Sequence, residues 1–369
     1  MPFYLVPPGD ATPGLSWAVE LTPEGLGTYV VEIGCNANVV TVTVQVIEVP
    51  EADIPFGFWT DHHRCGDGTQ HRAHFEDMRA HGFNTFTPYA RGVGPYPCGP
   101  QALAWYIDTA IEVGLVDLRF PLFCLSITPE DIGVAAGYAK HEWPELISYN
   151  RDEPPVRHKR QVAEHAARAH AVGRRTGTAI AGHHALVIGQ PLDIWIVHMD
   201  TMFPEVAESA RAQGKELWVY TCALRGTNAP LHRYWTGVYT WAVGAAGNLT
   251  WAYMHDRNSR IHPDGTWALT YLHCRSYTGR DGKPQPTVSI KGMQEGIIDY
   301  RLLRALEATD TPEGNAYLTD LRGRVDPLFW PDGKDRTYTK YPWDVPDVAI
   351  PPVCGAEMRQ EVLRLLGVQ

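Results

Sequence analysis

A repeated alternation of apolar strands and amphipathic helices, running over about 250 residues, constrains the fold of this chain most strongly. Several of the helical segments, including the one before Gly247, end in glycine, which is favoured just after a helix C-terminus. Eight strands are predicted, at 54–61, 83–89, 119–127, 145–153, 175–182, 193–200, 216–224 and 248–256. This number of strand–helix units and their total length predict a (β/α)8 TIM barrel.

An open, doubly wound sheet is the alternative α/β fold. Its dinucleotide-binding form carries a glycine-rich phosphate turn after the first strand, and no such turn follows 54–61. The weakest part of the barrel pattern is the fifth helix, at 184–191, where helical periodicity is poor. The sequence therefore favours the barrel, with its fifth helix the least well defined.

Three segments are predicted along the chain. Residues 1–52 form a small β segment, because GTYVVEIG and NVVTVTVQVIEV show strand periodicity. Residues 53–310 contain the barrel. Residues 311–369 form a C-terminal extension, whose last helix at 356–367 we expect to pack on the barrel.

Composition excludes several classes of protein. With 44% hydrophobic and 20% charged residues, the chain is not disordered. A net charge of −10 argues against a nucleic-acid partner, and no apolar run is long enough for a membrane helix. The seven cysteines show no CxxC spacing, so no zinc finger is expected, and no cofactor or resident metal is predicted. No signal peptide is visible, so a cytoplasmic protein is expected if the N-terminus is complete.

Catalytic residues of TIM barrels lie at the C-terminal ends of the strands. Aromatic and polar side chains at these ends can stack on a sugar ring or bond its hydroxyl groups. The predicted substrate-binding residues are Trp59, Asp61, Tyr89, His198, Asp200, Tyr220, Trp251, Tyr253 and His255.

The most informative strand end is YNRDEPP, which contains Asp152 and Glu153. Adjacent carboxylates repel one another, so one pKa should be raised, as a general acid requires. Both can face a substrate only if the strand has ended by Asp152, and the following two prolines favour such a break. The alternative interpretation is that both acids simply begin the next helix.

Four segments resemble the barrel of glycoside hydrolase family 123 and its relatives of unknown function. They are FEDMRAHGFNTFTPY, ISYNRDEP, GVYTWAVGAAGNLTWAY and DGKPQPTVSIKGMQEGIIDYRLLRALE, and the resemblance spans about residues 56–308. Members of that family carry a fuller β-sandwich ahead of the barrel. The short N-terminal segment departs from this pattern and is compatible with a truncated sandwich.

The resemblance implies an exo-acting β-N-acetylgalactosaminidase that uses substrate-assisted catalysis. Its substrate would be a glycan with a terminal amino sugar, whose acetamido oxygen attacks the anomeric carbon. Carried over from the family, Asp152 orients the acetamido group, and Glu153 protonates the leaving oxygen and later activates water. Tyr220 is a candidate to bond the acetamido oxygen.

Three other functions remain open from the sequence. A metal-dependent hydrolase could use strand-end histidines and aspartates, although the first strand has adjacent histidines rather than an HxH pair; the candidates are His62, His63, His183, His184, His198, Asp200, His255 and Asp256. A non-catalytic carbohydrate-binding protein would need the aromatic residues alone. An ordinary retaining glycosidase would need a second acid about 5 Å from the first, and the C-terminal end of the seventh strand, Tyr220–Leu224, offers none.

Overall fold

The computed structural model describes the chain in separate stretches. They are residues 27–35, 38–46, 48–60, 68–90, 93, 96–222, 229–253, 276–278, 283–325 and 355–368. The chain divides into two compact units, Met1–Pro50 and Glu51–Gln369.

The first unit contains an antiparallel pair of strands, β1 (Gly27–Cys35) and β2 (Asn38–Val46). Strand β2 lies within a segment that the sequence predicts to be a strand, and β1 extends one residue beyond its predicted segment. The alternating valines and threonines of β2 are typical of β structure. A further predicted strand, LSWAVELT, lies outside the described residues.

The second unit is built on an eight-stranded parallel sheet in which consecutive strands pair with one another, except β4 and β5. The strands are β3 (Phe56–Trp59), β4 (Thr85–Thr87), β5 (Leu122–Cys124), β6 (Leu146–Tyr149), β7 (Thr176–Ile180), β8 (Ile194–His198), β9 (Glu216–Thr221) and β10 (Asn248–Thr250). Strand β10 pairs with β3, so the first and last strands of the series are joined.

Closure of the barrel between β4 and β5 depends on a short bridge beyond the strands themselves. Tyr89 and Leu125 form it, with the Leu125 amide donating to Pro88 and the Ala90 amide donating to Leu125, both over 2.9 Å. All eight strands fall within the predicted segments, and the predicted (β/α)8 fold is confirmed as a nearly closed barrel.

Helices alternate with the strands along the chain and continue beyond the last of them. They are α1 (Gly68–Ala80), α2 (Pro100–Glu112), α3 (Pro129–Ala136), α4 (Lys159–Ala171), α5 (Gly182–Ile188), α6 (Pro204–Ala212), α7 (Ala229–Tyr234), α8 (Thr240–Ala242), α9 (Val288–Thr309), α10 (Pro312–Arg324) and α11 (Ala356–Leu365). A π-helical turn, Trp235–Tyr239, joins α7 to α8. A short pair of strands, β11 (Ser276–Thr278) and β12 (Pro284–Pro286), precedes α9. No helix among the described residues is long and apolar enough to cross a membrane.

Helix α5 explains why the fifth helix is hard to recognise in the sequence. It is only seven residues long and begins with Gly182, a poor helix former. A Cβ at Gly182 would lie 2.0 Å from the Thr201 carbonyl oxygen, so close packing, rather than helix propensity, requires glycine at this position.

The interior of the barrel is filled by side chains from all eight strands or their immediate ends. They are Trp59, Tyr89, Phe123, Leu125, Ile147, Tyr149, Ala179, Ile194, Ile196, Trp218, Tyr220, Leu249 and Ala252. Trp218 is completely buried, and its ring stands edge-on to Phe123 at 4.9 Å. The aromatic rings of this cluster therefore form part of the packed core of the barrel.

Gly247 lies against this core and was wrongly predicted as a helix-ending glycine. The glycine with left-handed backbone (φ +67°) is Gly244, whereas a Cβ on Gly247 would lie 2.3 Å from the Trp218 ring.

We expect Gly247→Ala to destabilise the protein by about 1–3 kcal/mol through overpacking. Thermal unfolding of the purified variant measures this. Gly323→Ala on α10, where nothing lies within 4 Å, is the matched control and should not lower stability. Equal melting temperatures for the two variants would contradict the packing explanation.

Candidate active site

Strand β6 ends at Tyr149, ahead of the two carboxylates. The backbone remains tied to β7 just beyond the strand, since the Asn150 amide donates to Gly177 over 2.9 Å and the Thr178 hydroxyl donates to the Arg151 carbonyl over 2.7 Å. The chain then bends through 151–153 before the two prolines. The break that the sequence predicts at this point is therefore present.

Asp152 and Glu153 are not part of the next helix. A 3-10 turn at Val156–His158 separates them from α4, and neither carboxylate accepts a capping hydrogen bond there. Both residues are exposed. The alternative role, as the acidic first turn of a helix, is not what the structure shows.

Glu153 is held in place by both its backbone and its side chain. Its φ of +39° lies in the left-handed region, which is unusual for a residue with a side chain. Its amide donates to the Ala179 carbonyl over 3.0 Å, and the Tyr220 hydroxyl donates to Oε1 over 2.5 Å. The backbone conformation and the tyrosine together direct the carboxyl group toward the interior end of β9.

Asp152 is held by a second tyrosine. The Tyr149 hydroxyl donates to Asp152 Oδ1 over 2.5 Å and accepts a hydrogen bond from the Ala179 amide over 3.1 Å. Although the residue is exposed, protein atoms packed around its carboxyl raise the pKa of Asp152, and the charge of Glu153 adds to this, while the bond from Tyr149 opposes it. The two carboxyl groups therefore interact electrostatically, and each accepts a hydrogen bond from a different tyrosine.

Three further aromatic residues predicted to bind substrate lie at the same end of the barrel. Trp59 stands edge-on to Tyr220 at 5.4 Å and is almost completely buried. Tyr89 is also buried, whereas Trp251 is half-buried against the interior cluster. Trp251 consequently offers the most accessible ring of the three.

His198 is buried at the end of β8 and packs against Tyr220. Its ring stands edge-on to the Tyr220 ring at 4.7 Å, and its Nε2 lies 3.1 Å from Cys222 Sγ and accepts from the Cys222 amide over 3.4 Å. Burial lowers the pKa of His198 to about 3, so the ring is neutral at physiological pH. His198 therefore supports Tyr220 as an uncharged packing partner.

Tyr253, although predicted to bind substrate, is directed away from the barrel interior. Its hydroxyl donates to Asp77 on α1 over 2.5 Å, its ring packs on His74, and it is completely buried. The sequence predicts a strand over 248–256, but β10 ends at Thr250. Tyr253 therefore joins the barrel wall to a helix.

The side chains of the remaining predicted substrate-binding residues lie outside the described part of the chain. Asp200 lies in the short 3-10 turn Met199–Thr201, and its side chain is outside the description. Asp61 and His255 lie outside the described residues, as do His62, His63 and Asp256 of the alternative metal site. Within the described part of the chain, no group of three or more His, Cys, Asp or Glu side chains is arranged to hold a metal ion.

Asn150 and Tyr149 are neighbours at the end of β6, but only Tyr149 contacts a carboxylate of the candidate site. Asn150 donates from Nδ2 to the Val162 carbonyl on α4 over 3.1 Å, which is a structural contact. Tyr149 was not among the predicted site residues. Its place in the interior cluster with Ile147, two residues earlier, follows the period of a strand and was the signal available in the sequence.

Comparison with known protein families finds a match over part of this chain. Residues 138–306 match the glycoside hydrolase 123 catalytic domain. The family 123 resemblance is confirmed. The matched segment includes both carboxylates and both tyrosines that hold them, and it supports a glycoside hydrolase. No match is found among curated proteins.

Two solved structures of glycoside hydrolases match this chain in a structural comparison. A family 123 glycoside hydrolase from Clostridium perfringens, described in a study of glycolipid glycan hydrolysis, is 10% identical, with a TM-score of 0.57 over 82% of this chain and 70% of that one. A family 39 glycoside hydrolase from the gut symbiont Bacteroides cellulosilyticus WH2 is 11% identical, with a TM-score of 0.45 over 74% of this chain and 71% of that one. At 10% identity, the likeness to the Clostridium perfringens structure concerns the fold alone.

Proposed function

We propose that this protein is an exo-acting glycoside hydrolase that releases terminal β-linked N-acetylgalactosamine by substrate-assisted, retaining catalysis. The observation that carries the proposal is the adjacent pair Asp152–Glu153 at one strand end, with a separate tyrosine donating to each carboxyl group. The family 123 match over this segment supports the choice of sugar.

Glu153 is assigned as the general acid and base. Because Oε1 accepts the Tyr220 hydroxyl, the carboxyl proton is carried by Oε2, which has no hydrogen bond to the described residues. In the first step this proton passes to the glycosidic oxygen as its bond to the anomeric carbon breaks. In the second step the Glu153 carboxylate removes a proton from the attacking water.

Asp152 is assigned to the acetamido group of the substrate. The acetamido oxygen forms the new bond to the anomeric carbon, giving a cyclic oxazolinium ion whose positive charge is shared with nitrogen. An ionised Asp152 accepts the N–H of this ion through Oδ2 and stabilises the developing charge. Water then opens the ring, which restores the acetamido group and releases the sugar with its original configuration.

A carboxylate nucleophile is not needed in this scheme. Ordinary retaining enzymes place it about 5 Å from the acid. Strand β9, which faces Glu153, instead presents Tyr220, followed by Cys222. The described residues of that strand therefore favour the substrate's own acetamido group as the nucleophile.

A stable mimic of the oxazolinium ion tests the proposal. A galacto-configured thiazoline should inhibit competitively with a Ki at least roughly 100-fold below the KM of the substrate, because transition-state and intermediate analogues bind more tightly than substrates. An iminosugar of the same configuration without the acetamido group is the control and should bind much more weakly. Equal inhibition by both compounds would contradict substrate assistance. Sugar binding without any turnover would instead favour a carbohydrate-binding protein.

Removal of the Tyr220 hydroxyl should impair the acid–base residue without destroying the site. Tyr220→Phe is expected to lower kcat by about 10- to 100-fold, the effect of one hydrogen bond to a charged group, while KM changes little. Steady-state kinetics on an aryl glycoside measure both constants. Tyr300→Phe, which also removes a tyrosine bond to a carboxylate (Asp53), is the matched control and should retain wild-type kcat. An unchanged kcat in Tyr220→Phe would remove Tyr220 from the proposed machinery.

A further inference from the structure

Ala179 on β7 connects to both carboxylates from one peptide position. Its carbonyl accepts the Glu153 amide over 3.0 Å, and its amide donates to the Tyr149 hydroxyl over 3.1 Å. The Tyr149 hydroxyl in turn donates to Asp152 Oδ1 over 2.5 Å. A continuous chain of hydrogen bonds therefore runs from the β7 backbone through a phenol to one oxygen of Asp152.

The phenol in this chain is fixed in position. Tyr149 ends β6, is buried in the barrel interior, and stands edge-on to Phe123 at 6.3 Å with the rings nearly perpendicular. Burial raises the pKa of Tyr149 well above its usual value, and the charge of Asp152 raises it further, so the hydroxyl remains a donor throughout the working pH range. Because the amide of Ala179 occupies the phenol oxygen as donor, the O–H of Tyr149 is directed to Asp152.

The same contact leaves one oxygen of Asp152 for a ligand. Oδ1 accepts from Tyr149, whereas Oδ2 has no hydrogen bond within the described part of the chain. A carboxylate that is bonded on one side by a fixed donor has lost most of its rotational freedom. Its second oxygen is then pre-oriented toward a substrate N–H.

We propose that Tyr149 is the positioning residue for Asp152, holding Oδ1 so that Oδ2 alone receives the acetamido N–H of the substrate. The inference rests on the proposed function for the task of Asp152 at that group. It assigns the two tyrosines separate duties, since Tyr149 acts on Asp152 and Tyr220 acts on Glu153.

The kinetic consequence distinguishes Tyr149 from Tyr220. Tyr149→Phe should lower kcat/KM by about 10- to 100-fold, and equally for good and poor leaving groups, because Asp152 acts on the acetamido group rather than on the leaving oxygen. In an Asp152→Asn background the same change should cost less than about threefold, since residues that act through one another are non-additive. Additive losses would overturn the proposal.

A pH profile gives a readout that a purely structural role would not change. The Tyr149 bond favours ionised Asp152, so its removal should move the acid limb of kcat toward higher pH. Tyr300→Phe, with its tyrosine–carboxylate bond at Asp53, is the control and should leave the limb unchanged. If the acid limb of the kcat profile of Tyr149→Phe lies at the same pH as in the wild type, Tyr149 is not the positioning residue for Asp152.

A measurement independent of activity separates this inference from the proposed function. NMR titration of protein labelled with ¹³C at aspartate carboxyls follows Asp152 directly, with Asp152→Asn providing its assignment. The pH midpoint of the Asp152 titration should rise in Tyr149→Phe and remain unchanged in Tyr300→Phe. If the midpoint rises but no amino-sugar glycoside is cleaved, the proposed function fails and the positioning contact stands. If the sugar is cleaved but the midpoint is unchanged, the positioning role alone fails.

A second variant covers the case in which Tyr149→Phe does not fold, since that change leaves the buried Ala179 amide without its acceptor. Incorporation of 3-fluorotyrosine at position 149 keeps the ring and the hydroxyl but makes the phenol more acidic and a stronger donor. The Asp152 midpoint should then fall below that of the unmodified protein. If the fluorinated protein folds and the pH midpoint of its Asp152 titration is unchanged, the proposal is overturned.

Discussion

Glu153→Gln is expected to reduce kcat by about 10²- to 10⁴-fold on glycosides with poor leaving groups, which is the usual contribution of a general acid. The glutamine is the same size and can still accept the Tyr220 hydroxyl, but it carries no transferable proton. p-Nitrophenolate leaves without protonation, so the loss in the first step should be far smaller for p-nitrophenyl glycosides. Paired kcat/KM measurements on an alkyl and a p-nitrophenyl glycoside give this ratio.

Two controls sharpen the Glu153 result. Glu142→Gln makes the same chemical change at an exposed position on the loop before β6 and should leave both substrates unaffected. Added azide, a nucleophile that needs no general base, should restore turnover of the p-nitrophenyl glycoside by Glu153→Gln. Equal losses on both leaving groups, with no azide rescue, would rule out Glu153 as the acid–base residue.

Asp152→Asn is the second change with a large expected effect. Without an ionised oxygen facing the acetamido N–H, kcat should fall by about 10²- to 10³-fold, a typical cost of removing one electrostatic stabiliser of the transition state. The loss should be similar for alkyl and p-nitrophenyl leaving groups, because formation of the oxazolinium ion accompanies release of either. A leaving-group dependence like that of Glu153→Gln would mean that the two roles are exchanged.

The same substitution should increase stability at neutral pH. The pKa of Asp152 is raised in the folded protein, so folding favours its protonated form, and this contribution is lost as pH rises through the folded-state pKa. Asparagine imitates the protonated form at every pH. The melting temperature of Asp152→Asn should therefore exceed that of the wild type at pH 7. The difference should shrink as pH falls through the raised folded-state pKa of Asp152 and be absent below about 4, the ordinary aspartate pKa.

Asp320→Asn on α10 is the matched control for this thermal measurement. Asp320 is exposed and paired with Arg324 over 2.8 Å, so its loss should change stability little at either pH. A lower melting temperature for Asp152→Asn at pH 7 would show that the Asp152 charge stabilises the fold, contrary to the direction of its pKa shift.

The barrel itself could be predicted from the sequence because each strand and helix leaves a local pattern. The eight apolar segments and the glycine-ended helices depend on neighbours two to four residues apart, and all eight strands lie where the pattern places them. The prediction that Gly247 ends a helix was wrong. Glycine near the end of a helical segment suggested a helix end, but the ring of Trp218, far earlier in the chain, is what requires it.

The site was only partly accessible to sequence reasoning because its contacts depend on register between strands. Asp152 and Glu153 stand out locally as adjacent acids before two prolines. That Tyr149 reaches Asp152 follows from the end of β6 at Tyr149, and that Glu153 reaches Tyr220 depends on packing across the barrel. Tyr253 follows the end of β10 at Thr250, rather than lying within a strand that runs to 256, and its hydroxyl bonds Asp77 on α1.

Comparison of three p-nitrophenyl glycosides tests the central claim, that the acetamido group of the substrate is the nucleophile, most directly. The β-N-acetylgalactosaminide, β-N-acetylglucosaminide and β-galactoside are assayed with one preparation of the purified protein. The proposed mechanism predicts cleavage of the β-N-acetylgalactosaminide and a kcat/KM at least roughly 10³-fold lower for the β-galactoside, since loss of an internal nucleophile removes several kcal/mol of catalysis. Comparable cleavage of the β-galactoside would contradict it.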